Sequence, residues 1–311
     1  MVKKTLFELN SIYRDNLRIT GYKFGNGEPS VCIVGALRGN EVQQVYICSQ
    51  LIRSLKIIES HGKIEKGKAI MVIPSVNTYS MNISKRFWPT DNTDINRMFP
   101  GYNLGETTQR IASGLFEAIK EYKCGIQFAS FYIPGKFIPH VRMMKTSFED
   151  VEDAKKFGLP YVMLRTPRPY DTTTLNYNWQ VFGTNAFSVY THETDNIDIP
   201  SAMQAVNSVL NFMSLNKIID HPVVGLNESV VIDDKDIITV KSKTAGIFSA
   251  PADVNQHVLR GTTLAEILDP YTGETKSRIK SPAEGTVFFR HNAPLTYANA
   301  VMFRILPDKI M

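Results

Sequence analysis

Apolar residues follow two alternating rhythms through the first two thirds of the chain. Val31-Cys-Ile-Val-Gly35 is a short unbroken apolar run ending in glycine, and Ala69-Ile-Met-Val-Ile-Pro74 repeats the pattern. Runs of this length suit strands buried on both faces. Between them, Val42, Val45, Tyr46, Ile52, Leu55 and Ile58 fall at helical spacing, which predicts an amphipathic helix from Glu41 to Ile58. Ile111, Leu115, Ala118 and Ile119 predict a second helix over 106–122. Gly125 to Ser130, Tyr161 to Leu164 and Phe187 to Tyr190 read as further strands. Ser147-Phe-Glu-Asp150 has the form of a capping box opening a helix to about Phe157, and Pro200 suits the first turn of a helix running to about Leu215. Strands alternating with helices predict an α/β sheet covered by helices.

The rhythm changes after about residue 222. Short apolar runs broken by Gly and Pro replace the helices. Gly246-Ile-Phe-Ser-Ala-Pro followed by Gly261-Thr-Thr-Leu-Ala-Glu-Ile-Leu is echoed by Gly285-Thr-Val-Phe-Phe-Arg followed by Ala300-Val-Met-Phe-Arg-Ile-Leu. Two stacked β units predict a small sandwich or barrel over 223–311, beside an α/β domain over 1–222; two unrelated hairpins are the alternative. A length of 311 residues suits two domains.

Composition narrows the function classes. Hydrophobic residues make up 43% and charged residues 21%, ordinary values for a globular chain. The net charge of +5 comes from scattered Lys and Arg, so no nucleic-acid footprint is expected. No apolar run approaches a membrane span, and acidic residues come too early for a secretory leader. The three cysteines, Cys32, Cys48 and Cys124, sit in apolar runs without a C-x-x-C pair, as expected of reduced core residues in a cytoplasmic protein.

In open α/β sheets, ligands bind where strands end. The first such turn reads Gly35-Ala-Leu-Arg-Gly-Asn-Glu41, placing Glu41 at a helix start, where a carboxylate is also favoured by the helix dipole alone. After the second strand comes a long polar stretch holding Arg86, Pro89 and Asp91-Asn-Thr-Asp-Ile-Asn-Arg-Met-Phe-Pro-Gly101. Clustered guanidinium groups there suggest an anionic small molecule, unless they only make surface ion pairs with Asp91 and Asp94.

These two motifs, with Tyr190-Thr-His-Glu-Thr-Asp195 and the β-rich tail, resemble the aspartoacylase/succinylglutamate desuccinylase family along nearly the whole chain. The resemblance implies a zinc-carboxypeptidase-like mixed sheet flanked by helices, with a smaller C-terminal all-β domain. It implies Zn²⁺ held by two His and one Glu, a catalytic Glu, and an Asn-Arg pair with another Arg gripping a substrate carboxylate while an amide is hydrolysed. Glu41 matches the Glu ligand, Glu193 the catalytic Glu, and Arg86, Asn96 and Arg97 the grip. Arg38 stands where the first His ligand belongs, and Ala129, two residues after Gln127, stands at the other. A guanidinium has no lone pair for a metal. Arg38 is instead expected to lie between Glu41 and Glu193, neutralising both and offering donors to a bound carboxylate. Of the histidines, His140 and His192 are the candidates for a rebuilt metal site.

The expected function is therefore binding of a small N-acyl amino acid or related carboxylate, with reduced or no amide hydrolysis. An active metal-dependent amidohydrolase with rearranged ligands, and a non-catalytic structural or regulatory subunit, are the alternatives. No nucleic-acid or membrane partner is expected, and assembly as a homo-oligomer stays open.

Overall fold

The computed structural model of the protein describes residues 1–13 and 15–308. Its first ten strands are β1 (Val2–Leu9), β2 (Leu17–Phe24), β3 (Glu28–Ala36), β4 (Lys68–Ser75), β5 (Cys124–Ala129), β6 (Gly135–Phe137), β7 (His140–Met144), β8 (Tyr161–Arg165), β9 (Asn185–Tyr190) and β10 (Val230–Asp233). All but β6 form one nine-stranded sheet in the order β1-β2-β4-β3-β5-β9-β7-β8-β10. The central strands β4, β3, β5 and β9 are parallel, whereas β7 runs antiparallel to β9 and parallel to β8.

The helices are α1 (Val42–Ser60), α2 (Thr78–Met81), α3 (Thr107–Ile119), α4 (Val151–Lys155), α5 (Leu175–Val181) and α6 (Ile199–Leu215). On one side of the sheet, Ile47 and Leu51 of α1 and Val206, Val209 and Phe212 of α6 share a core with Val31 and Ile33. On the other, Ile111 and Leu115 of α3 and Trp179 of α5 pack with Cys32 and Val34. Alternate residues of β3 thus serve opposite cores, which is why that strand is apolar throughout. No helix among the described residues is long and apolar enough to cross a membrane.

The helix expected from Ser147 starts later, at Val151. Ser147 holds a φ of 70°, outside the helical range. The cap is Asp150, whose carboxylate accepts the Asp153 N–H at 2.9 Å. The sequence reading also omitted β1, β2, β7 and α5.

The remaining strands are β11 (Ile238–Lys241), β12 (Gly246–Ser249), β13 (His257–Val258), β14 (Thr263–Leu268), β15 (Thr275–Lys280), β16 (Gly285–His291), β17 (Leu295–Thr296) and β18 (Val301–Pro307). They form two antiparallel sheets, β15-β14-β12-β17 and β11-β18-β16-β13, the latter extended by β6. The echoed runs pair within themselves, β12 with β14 and β16 with β18. Phe248, Leu264 and Ile267 of one sheet pack on Val287, Phe303 and Ile305 of the other. Strand β10 stays with the large sheet, so that sheet reaches past residue 222.

The seam between the large sheet and this β-rich part is aromatic. Phe137 and Phe289 lie 4.7 Å apart, and the His140 ring stacks on Tyr190 at 4.8 Å. His140 is fully buried, with Nδ1 2.8 Å from the Ile138 carbonyl. Burial, reinforced by the nearby Arg142 cation, pushes its pKa well below the usual 6.5. The folded chain therefore holds His140 neutral, while the unfolded chain protonates it below about pH 6.5. His140 should contribute stability above that pH that is lost as the pH falls. The urea midpoint is expected to drop between pH 7 and pH 5, and His140→Asn, which preserves the donor to Ile138, should flatten the slope. An unchanged slope in that variant would move the effect elsewhere.

Candidate functional site

Because β3, β4, β5 and β9 are parallel, their carboxyl ends share one edge of the sheet, and the polar segments that follow them converge there. The turn after β3 is built tightly around Glu41. Its carboxylate accepts the backbone N–H groups of Leu37 and Arg38, both at 3.0 Å, and the hydroxyl of Ser130, just past β5. Gly39 lies against the Ser80–Lys85 segment, where a Cβ would come within 2.4 Å of the Lys85 carbonyl oxygen. The glycine therefore permits the turn and the loop leading to Arg86 to touch.

Arg38 folds back into this turn. Its Nη1 donates to Glu41 at 3.0 Å, and Nε and Nη2 form a fork on the Asp94 carboxylate, the latter at 2.8 Å. Arg38 and Glu41 are 4% and 1% exposed, so this is a buried carboxylate–guanidinium–carboxylate chain. Burial alone would pull the Arg38 pKa down, but Glu41 and Asp94 outweigh it and hold the cation.

The expectation that Arg38 also meets Glu193 is not met. Glu193 pairs with Lys136 Nζ at 3.0 Å, and Asp94 takes the second place on Arg38. The physical reason is reach. Asp94 lies in the polar stretch that packs over the turn, whereas the segment after β9 carries Glu193 towards β6.

Beside Arg38 opens a cavity of about 300 Å³. Arg38, Arg86, Arg97, Arg142 and Arg165 line it with Asp94, Asp171 and Asn96. Ala129 is also on its wall; Glu193 is not among the residues lining it. Arg86 Nη2 donates to the Ser130 hydroxyl at 3.2 Å and to the Phe131 carbonyl at 3.0 Å. Burial and the adjacent Arg38 cation both lower its pKa. Asn96 Oδ1 accepts the Leu175 N–H at 3.1 Å, which ties the Asn-Arg pair to the start of α5. Arg97 lies over the Tyr170 ring and donates to the Tyr170 carbonyl. The structure thus brings Arg38, Arg86, Asn96 and Arg97 to one cavity, sets Glu41 just behind Arg38, and leaves Glu193 aside.

The sequence reading missed the far wall. Arg142 comes from β7, Arg165 from the end of β8, and Asp171 and Asn176 from the following segment. Asp171 accepts from Arg165 Nε and Nη2 at 3.2 and 3.1 Å. Neither His140 nor His192 is among the residues lining the cavity. His192 Nδ1 lies 3.1 Å from the Phe137 carbonyl, and the one metal-like cluster among the described residues is His257, Glu284 and Asp308, in the β-rich C-terminal part.

Comparison with known proteins agrees with this architecture. An N-alpha-acetyl-L-2,4-diaminobutyric acid deacetylase of Halomonas elongata is 24% identical over 159 residues. That match spans 47% of this chain and 42% of the relative. The product-bound structure of the ectoine utilization protein EutE from Ruegeria pomeroyi superposes with a TM-score of 0.80 at 19% identity, covering 94% of this chain and 89% of that one. A succinylglutamate desuccinylase of Silicibacter sp. TM1040 gives 0.82 at 18% identity, covering 97% and 92%. At such identities the likeness is one of fold, a zinc-carboxypeptidase-like mixed α/β sheet with further antiparallel sheets at the C-terminus. Residues 27–213, more than half of the chain, match the model of the succinylglutamate desuccinylase/aspartoacylase catalytic domain. The protein is a member of the succinylglutamate desuccinylase/aspartoacylase family.

Proposed function

We propose that this chain binds a small N-acyl amino acid or related carboxylate in the arginine-lined cavity, with Arg38 taking the place of a catalytic metal and with reduced or no amide hydrolysis. The observation that carries the reading is the Arg38 guanidinium closed on Glu41 and Asp94. A zinc ion does not fit these residues. By the resemblance, Arg38 and Ala129 stand where the two His ligands belong, and both Glu41 oxygens already accept donors, one of them a guanidinium group. A dication brought to Glu41 would meet a buried, permanently charged arginine. The cavity keeps what a carboxylate needs: Arg86 and Arg97 as charged donors and Asn96 beside them. Glu193, which the resemblance matches to the general base, pairs with Lys136 and is not among the residues lining the cavity.

The Halomonas relative acts on an N-acetylated amino acid by its name, which makes that class the first to try. N-acetyl-L-amino acids are expected to raise the melting temperature of the wild-type protein without being deacetylated. Purified wild type should carry no stoichiometric zinc. The double variant Arg38→His, Ala129→His restores the family's ligand types around Glu41 and should gain zinc binding, read by metal analysis after dialysis. Stoichiometric zinc on the wild type, lost together with amidase activity in Glu41→Ala, would overturn the reading in favour of an active metal-dependent hydrolase. If no carboxylate stabilises the protein, a structural or regulatory role replaces it.

A further inference from the structure

Far from the arginine-lined cavity, the C-terminal strands bring three metal-ligating side chains together. Strand β16 lies between β13 and β18 and runs antiparallel to both. His257 pairs with Thr286, and Gly285 pairs with Pro307. One step further along the second ladder, Glu284 stands opposite Asp308, whose N–H donates to the Glu284 carbonyl at 3.4 Å. Side chains alternate along a strand, and Glu284 is two residues from Thr286, so His257, Glu284 and Asp308 share one face at this end of the sheet. Each offers a ligand atom, and these atoms all lie within 4.8 Å of one another.

The charges of this cluster are not balanced. His257 Nε2 lies 2.7 Å from Asp308 Oδ2, and Glu284 pairs with no Lys or Arg among the described residues. The other Asp308 oxygen, Oδ1, is a buried atom with no hydrogen-bond partner among the described residues. Two carboxylates therefore share one imidazole, which carries a single positive charge at most. A buried acceptor without a donor calls for a partner, and a dication would satisfy it and cancel the repulsion between the acids.

The donor set narrows the ion. Mg²⁺ and Ca²⁺ favour oxygen ligands alone, whereas one imidazole with two carboxylates suits Zn²⁺. Ligand atoms on a tetrahedral Zn²⁺ stand about 3.3 Å apart, given bonds near 2 Å. Small side-chain rotations reach that spacing here, since the His257 and Asp308 side chains are 52% and 38% exposed.

We infer that His257, Glu284 and Asp308 form an exchangeable Zn²⁺ site that fastens together the ends of β13, β16 and β18, separate from the turn around Glu41. Three ligands and a side open to water let the ion leave on dialysis, so the site fills only while metal is supplied.

Zn²⁺ titrated into the metal-stripped full chain, followed by calorimetry, provides the test. Wild type should bind one equivalent, and Zn²⁺ should raise its melting temperature by mass action on the folded state. Mg²⁺ at the same concentration should do neither. His257→Gln should abolish binding. Glu284→Gln, which keeps the shape of the side chain, should weaken it by at least about tenfold, the cost of losing even an outer-shell partner of a metal ligand. His61, an exposed histidine outside the cluster, is the control, and His61→Gln should bind as wild type does. Absence of Zn²⁺ binding by wild type, or binding that survives both His257→Gln and Glu284→Gln, overturns the inference and leaves the carboxylate-binding reading intact. One equivalent kept by His257→Gln but lost in Glu41→Ala would put the metal at the turn after β3 and overturn both.

Discussion

Arg38→Met is expected to lower the unfolding free energy by about 3 kcal/mol, near the low end of the range for breaking a buried ion pair by removing one partner. Methionine fills much of the same space, so the loss reports charge rather than a cavity. Glu41 keeps its two backbone donors and the Ser130 hydroxyl. Asp94, whose side chain is 16% exposed, keeps the Asn96 N–H and some access to water. These retained contacts hold the effect to the low end. Urea unfolding of wild type and variant measures it. Two further variants separate the causes. Arg38→Lys keeps the cation but loses the planar fork that spans Glu41 and Asp94, so it should recover only part of the loss. Arg38→Met combined with Glu41→Gln removes both members of the pair and should be less damaging than the sum of the single changes. Full additivity would mean that Arg38 and Glu41 do not stabilise one another. A wild-type-like Arg38→Met would sink the view that this guanidinium fills a structural need.

The α/β architecture was legible because fully buried parallel strands need apolar residues on both faces. β3 and β4 therefore stand out as continuous runs, and α1 and α3 as helical stripes between them. The N-terminal hairpin left no such trace, since β1 is largely exposed and shows no clear alternation. Strand β7 was hidden for the opposite reason. All five of its residues are buried, yet His140 and Arg142 interrupt the apolar run. Those two residues look misplaced in sequence because they belong to the aromatic seam and the cavity wall. One half of the candidate site lies in two local motifs, and the family resemblance those motifs carry points to Arg38, Glu41, Arg86, Asn96 and Arg97. The other half depends on the order β9-β7-β8, which sets Arg142 and Arg165 on neighbouring strands. A single arginine in a strand has no local signature, and only the tertiary fold shows what it faces. The departure of Glu193 from the cavity was likewise invisible, because nothing near it in sequence announces the Lys136 ion pair.

Asp234→Asn is expected to destabilise the chain by about 3 kcal/mol as well, and to change ligand binding in the opposite direction. Asp234 follows β10 and ties the large sheet to the β-rich part: its carboxylate accepts from Arg304 of β18 at 2.7 Å and lies 3.6 Å from Arg165 of β8. Burial pushes its pKa up, but Arg304, Arg142 and Arg165 outweigh burial, and the net shift is downward from 3.8. A carboxylate with a depressed folded pKa contributes stability that is complete above its unfolded pKa and fades as the pH falls through the folded value. The gap between wild type and Asp234→Asn should therefore be full at neutral pH and begin to close below about pH 3.9, the usual aspartate value. The amide keeps the shape of the side chain, so packing at the seam changes little, and the cost is that of leaving Arg304 and Arg165 short of counter-charge. Arg165, with Arg142, also lines the cavity beside Arg38. Removing Asp234 raises the positive charge beside the cavity, so an N-acetyl-L-amino acid should bind the variant more tightly, through its carboxylate, than it binds wild type. Opposite signs in the two measurements are what a shared charge cluster demands. A variant that lost stability and ligand affinity together would show that Asp234 acts through packing of the seam, and that the field it sets at Arg142 does not reach the ligand.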